Sequence, residues 1–325
     1  MLFIHSIKIT IDNFRSVFKY MLYRIVSALI FASLIFVILR LSLSFIVESA
    51  EVATLQTLIK DIIMSIIAGD TAKLSDIWEQ ELVQKAIIDI GRLIAEGGGA
   101  IAGAVVGVCL IYLASRIVDG LATFAMGAIV NDRMSIFARK PFSAAFFSTV
   151  GQGILYELIY VPLSFLYDVI SVVLCWFLFF YLRGLLFPTS FLTSTVSLSL
   201  FVASICCLQA LKMTLISSWI PAMIADRISV RKALTQSFTN QKGFGSRFVC
   251  FLSTIFIIVV GNLLFGVCTF GGALLLTIPL SFLLLLCIQF VYYYYDNRKK
   301  YFIMEGEFYT PKEMESEISK KEMNI

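Results

Sequence analysis

Charge is what this chain has least of. Asp, Glu, Lys and Arg make up 15% of its 325 residues against 59% hydrophobic ones, and the mean hydropathy is +0.90. A soluble domain of this length cannot bury that much apolar surface in a single core. The scarcity of charge excludes a water-soluble globular fold and a nucleic-acid-binding surface, and leaves the bilayer as the solvent. Histidine is nearly absent too, since His5 is the only one. There is no His-Glu-x-x-His helix, no Gly-x-Ser-x-Gly elbow and no acidic cluster, so no metal, cofactor or catalytic constellation is indicated and the expectation is a non-enzyme. His5 itself reads as solvated or facing lipid headgroups. The seven cysteines, Cys109, Cys175, Cys206, Cys207, Cys250, Cys268 and Cys287, lie in apolar runs without metal-ligand spacing and read as small apolar fillers.

What is present is a set of long apolar runs bounded by charge. A spanning helix needs roughly 20 mostly apolar residues. Such runs fall at 22–47, 97–130, 151–182, 191–222, 248–267 and 271–295, which predicts six transmembrane helices in one membrane domain, 1–302, followed by a mobile tail, 303–325. Segments 1–24, 131–150, 223–247 and 296–325 hold 4, 3, 5 and 6 Lys plus Arg, whereas 48–96 holds nine acidic residues against four basic ones. The positive-inside rule then places both termini in the cytoplasm and the chain in the cell's cytoplasmic membrane. The first span reads as an uncleaved anchor, because no small-residue cleavage site follows it. The turn at Cys268–Gly272 is a short outer loop whose glycines permit a sharp reversal.

The charged ends repeat. "NDRMSIFARKPFSAAF" (Asn131–Phe146) and "ADRISVRKALTQSF" (Ala225–Phe238) each follow a descending span and lead into a basic stretch with apolar residues at helical spacing. Phe142, Phe146 and Val150 form one such face, Leu234 and Phe238 the other. The N-terminal "NFRSVFKYMLYR" is related, with Phe14, Phe18 and Met21 on one face and Arg15 and Lys19 on another. Such segments suit interfacial helices, with Arg139, Lys140, Arg231 and Lys232 reaching anionic headgroups. The predicted fold is an all-α polytopic bundle of three parallel hairpins, each an interfacial helix, an ascending span and a descending span. Chance similarity of charged, aromatic inner ends remains the alternative to true repetition. Asp132, Arg133, Asp226, Arg227, Asp296 and Arg298 mark the ends, and the expectation is that they tie each descending helix to the next interfacial one. The closing "YYYYDNRKKYF" reads as an aromatic belt before a basic cluster.

"IPAMIADRISVRKALTQSF", "GFGSRFVCFL" and "YYYYDNRKKYF", within about 215–302, resemble the membrane domain carried by some bacterial glycerophosphodiester phosphodiesterases and related multispanning proteins. The enzymatic half of those proteins is a soluble barrel using histidines and metal-binding carboxylates. One histidine and no room for a barrel leave what the resemblance implies as a stand-alone membrane domain, to which phosphodiesterase activity does not carry over.

Two further features concern packing. The insert 48–96 carries apolar periodicity at Leu55–Ile67 and again from Trp78 to Leu93, an extracytoplasmic cap that either lies on the membrane or forms a partner-binding lid. Gly99, Gly103 and Gly107 form a ridge suited to close helix packing or a dimer seam.

The candidate site is a polar layer. Arg116, Asp119, Asp168, Lys212 and Asn262 fall about 20–24 Å from the cytoplasmic ends at 1.5 Å per residue. Arg116 and Asp119 can pair at i, i+3, and Asp168 can reach Arg116 or Lys212. Glu157 reads as an interfacial ion-pair partner for a basic residue such as Arg133, and Pro162 and Pro279 as kinks. Charges in a span pair, face the bundle interior or line water. If they neutralise one another in a dry bundle, the chain is a scaffold, lipid-organising or regulatory module. If they line a wet cavity, it is a transporter or permease for a charged or amphiphilic solute. An intramembrane enzyme ranks third. Membrane lipids, a second copy or a membrane partner protein are the expected partners.

Overall fold

The computed structural model describes residues 1–50, scattered positions between 52 and 92, and then 94–185, 191–239, 241 and 243–311. The described helices are α1 (Leu2–Asp12), α2 (Phe14–Val47), α3 (Gly98–Ile136), α4 (Phe142–Leu185), α5 (Phe191–Ile216), α6 (Trp219–Ala225), α7 (Val230–Thr239), α8 (Phe244–Cys268) and α9 (Leu274–Asp296), followed by β1 (Tyr301–Met304) and β2 (Glu307–Tyr309). Six stretches, with α5 and α6 counted as one, are long and apolar enough to cross a membrane. The protein is an all-helical polytopic bundle. The two helices expected in the insert lie largely outside the described residues, as does 312–325 of the expected tail.

Each apolar run became a span, but the helices outrun the runs at their charged ends. α2 starts at Phe14, α3 continues to Ile136 and α4 starts at Phe142. Arg and Lys are good helix formers, so a helix need not stop where hydropathy does. Two of the three expected interfacial helices are therefore fused into spans: Asn13–Arg24 is the start of α2, apart from Asn13 itself, and Phe142–Val150 the start of α4. On α2 the buried side is Val17 and Tyr20, while Phe14 and Phe18 face outward. α7 does stand alone as an amphipathic helix, burying Ala233 and Ser237. A further short helix, α1, was not predicted. It turns His5, Ser6, Ile9 and Thr10 inward and leaves Ile4, Ile7 and Ile11 exposed.

The run 191–222 is broken at Ser217–Ser218. Pro221 lacks an N–H for the carbonyl of Ser217, and its ring would clash with that carbonyl in a continuous helix. Pro221 instead sits in the first turn of α6, where a missing N–H costs little. The Ser217 hydroxyl donates to Thr214 O at 2.9 Å and accepts from Arg247 at 3.1 Å, and Trp219 Nε1 donates to Val230 O at 3.1 Å.

The chain divides into two compact units, Val26–Arg116 and the remainder, Met1–Ile25 with Ile117–Ile325. In the first, Gly107 takes the ridge role: a Cβ there would meet Ile38 at 3.2 Å, whereas nothing lies within 4 Å of Gly99 or Gly103. In the second, α9 is the hub, with 44% of its apolar window buried against 6–22% for the other spans. Around it pack α1, α6, the end of α3 and the β-hairpin. Close approach here uses Gly120, Gly127 and Gly153. A Cβ at Gly120 would stand 1.9 Å from Glu157 Oε1, one at Gly127 2.8 Å from Ile224, and one at Gly153 2.9 Å from Leu121.

The hairpin is a departure from the mobile tail expected from 303 onward. β1 and β2 pair antiparallel, Tyr301 opposite Tyr309, around Gly306 in a left-handed turn (φ +75°). Tyr301 and Ile303 are buried, and the strand pair packs on α1.

Candidate functional site

The polar layer resolves into separate pairs. Lys212 on α5 donates to both oxygens of Asp168 on α4, at 2.8 and 2.9 Å, and Gln209 donates to Oδ1 at 2.9 Å. The Lys212 ammonium also stands 5.9 and 5.7 Å from the ring centroids of Tyr160 and Tyr167, the cation–π range. Asp119 on α3 is held by Arg24 of α2 at 3.1 Å, and the Arg24 guanidinium lies over the Phe282 ring of α9 at 4.5 Å. Arg24 is a member that depth counting missed, since a basic residue so close to the N-terminal flank reads as an end marker. Arg116 falls in the other compact unit, and Asn262 is half-buried on α8. Arg24 thus holds Asp119 between α2 and α3, and Lys212 holds Asp168 between α5 and α4.

The charged helix ends make longer-range ties than expected. Arg133 grips both carboxylate oxygens of Asp12 at the end of α1, one through Nη2 at 2.9 Å and the other through Nε, while its Nη1 donates to Phe137 O at 3.1 Å. Glu157, paired with Arg133 in the sequence reading, is instead buried against Gly120. Asp132 follows the expected rule, reaching Lys140 in the next segment at 3.8 Å. Asp226 accepts from Tyr293 at 2.6 Å and pairs with Lys299 beyond the end of α9, and Asp296 stands 3.9 Å from the buried Arg247 on α8. Phe137, Arg227 and Arg298 adopt positive φ (55°, 53° and 52°), so each descending helix closes on a left-handed residue.

The tyrosine run is no belt. Tyr292, Tyr293 and Tyr294 are buried, and their hydroxyls reach Ser246 (3.4 Å), Asp226 (2.6 Å) and Asn131 (2.9 Å). Successive helical residues point about 100° apart. Three neighbours on α9 thus bond to three different elements, α8, the end of α6 and α3.

His5 is buried as well. Its Nδ1 lies 2.8 Å from the Tyr301 hydroxyl, and Lys8 holds Glu307 at 2.8 Å on the same face of α1. Burial pushes the His5 imidazole below its ordinary pKa and the Tyr301 phenol well above its own; Glu307 opposes the His5 shift by a smaller amount.

Beside these ties opens a pocket of ≈ 440 Å³, lined by Ile11, Asp12, Asn13, Arg15, Ser16, Lys19, Ile129, Arg133, Ala138, Arg139, Lys140 and Pro141. Its walls are the α1–α2 hinge and the turn after α3. Asp12 is its one acidic lining residue, and Arg133 already neutralises it.

Six apolar helices make the chain an integral, multi-pass membrane protein. No family model, no curated protein and no solved structure matches it.

Proposed function

We propose that the chain is a non-enzymatic membrane module, a scaffold, lipid-organising or regulatory protein, whose intramembrane charges hold helices together. The observation that carries this reading is the pairing of the layer's acids with bases on neighbouring helices. Asp168 is occupied by Lys212 and Gln209, and Asp119 by Arg24. Two such pairs, on different helices, need no ligand to offset the cost of placing charge in a span. The single histidine, committed to Tyr301, also fits a structural rather than a chemical role. In this reading the face that carries α1 and the hairpin is cytoplasmic, as its basic segments favour. The likeness to the membrane domain of glycerophosphodiester phosphodiesterases supports the same picture of a domain working without the barrel.

The second reading, a transporter, draws on Asp168, whose side chain is 37% exposed despite its partners. Labelling separates the two. In a chain whose native cysteines are replaced by alanine, Gln209→Cys should resist a membrane-impermeant maleimide applied from either side of native vesicles. Rapid labelling from one side would mean that water reaches the Asp168–Lys212 pair, and the transporter reading would replace ours.

A further inference from the structure

The pocket at the α1–α2 hinge has the charge of an anion site and the walls of a lipid site. Arg15, Lys19 and Arg139 line it with exposed side chains and, among the described residues, without a carboxylate partner. Arg133 forms a fixed cationic back, immobilised by Asp12 and by the Phe137 ring 3.3 Å from its Cζ. Three uncompensated cations around one concavity raise the local potential and favour an anion there. The volume of ≈ 440 Å³ lies in the range of small-ligand sites, about 300–1,000 Å³, and suits a glycerophosphate-sized group.

The surroundings say where the anion comes from. Ile4, Ile7, Ile11, Phe14 and Phe18 are all exposed and recur at intervals of three and four across the hinge. They make one outward apolar stripe. Ile11 belongs to both stripe and pocket, being 61% exposed and also part of the lining. Arg15 and Lys19 each follow a stripe residue, Phe14 and Phe18, by one position. A helix that turns His5, Ser6 and Thr10 inward and Ile4, Ile7 and Ile11 outward is at home among acyl chains. The cations then sit at headgroup level, and a soluble anion would have no use for the stripe.

We infer that this pocket holds the phosphate-bearing headgroup of an anionic lipid, with Arg15, Lys19 and Arg139 as its contacts and the Ile4–Phe18 stripe against its acyl chains. The inference goes beyond the scaffold reading and does not depend on the layer being dry. The test is retention of dioleoyl-phosphatidylglycerol, measured by native mass spectrometry of the full chain in detergent, with dioleoyl-phosphatidylcholine as the neutral comparison. Arg15→Gln/Lys19→Gln/Arg139→Gln should lower phosphatidylglycerol retention roughly ten-fold or more, given that each basic residue near a membrane surface adds a several-fold attraction. Arg231→Gln/Lys232→Gln/Lys300→Gln, which removes the same number of exposed charges outside the pocket, should lower retention by a much smaller factor. Equal losses in both variants would reduce the effect to general attraction and overturn the site, as would full retention in the pocket variant. Circular dichroism and the thermal midpoint of the pocket variant check that it is folded. Inorganic phosphate supplies the last arm: if millimolar phosphate displaces no lipid, the lipid source stands, whereas stabilisation of delipidated protein by phosphate alone, with no response to phosphatidylglycerol, would make it a soluble-anion site and overturn the lipid assignment.

Discussion

His5 and Tyr301 make the clearest case at the scale of single residues. A histidine near the end of a greasy chain reads as a wet residue, and nothing local contradicts that. Its partner lies 296 positions away in sequence, so its burial could only appear in the fold. The tyrosines of α9 were misread for a similar cause: a run of aromatics at a span's end is the usual mark of an interface, and only packing tells a belt from a hub. The His5 environment has a consequence for pH. Its folded pKa lies below the ordinary value of 6.5, so the unfolded chain binds the proton more readily. Stability from this site is therefore fully present above about 6.5 and is lost as pH falls through the depressed folded value. Thermal midpoints of detergent-solubilised protein should decline on acidification across that window, and His5→Gln should flatten the decline. An equal decline in the variant would place the effect elsewhere.

Among elements, the spans were legible and the joints were not. Apolar runs announce a helix in lipid because its backbone polar groups must bond internally. The charged flanks announce nothing as firm, since a basic amphipathic stretch can form a separate short helix, as α7 does, or simply continue a span, as Phe14–Arg24 and Phe142–Val150 do. The charged ends of the descending helices stand out in the sequence, but their partners follow from tertiary packing. Arg133 and Asp12 illustrate the energetics. Their side chains are 8% and 12% exposed, so removing one leaves the other charge stranded. Arg133→Ala should destabilise the protein by about 3 kcal/mol, the usual cost of breaking a buried pair. The double change Asp12→Asn/Arg133→Gln should cost clearly less, because no isolated charge remains. Unfolding titrations in SDS would measure both, and a double variant as weak as the single would show that the pair itself, rather than the stranded charge, matters.

For the whole molecule, composition decided the solvent and the spacing of apolar runs decided the number of spans. An even number of spans returns the chain to the face on which it began, and the contact between α1 and the hairpin agrees. The proposed face is the cytoplasmic one, where the positive-inside rule puts the basic segments. Reporter fusions at Met1 and after Pro311 should both be active with a cytoplasm-dependent reporter and silent with one that needs export; a split result would contradict the six-span count. The two short additions that carry that contact also set an order of events. α1 leaves the ribosome hundreds of residues before β1, yet its His5 and Lys8 are completed by Tyr301 and Glu307. Until then the helix has an unfinished side, and a chain arrested anywhere inside its last spans would still display it. A contact between segments 296 residues apart in sequence forms only once the last described span has been made, so this side of α1 is the last part of its surroundings to be supplied.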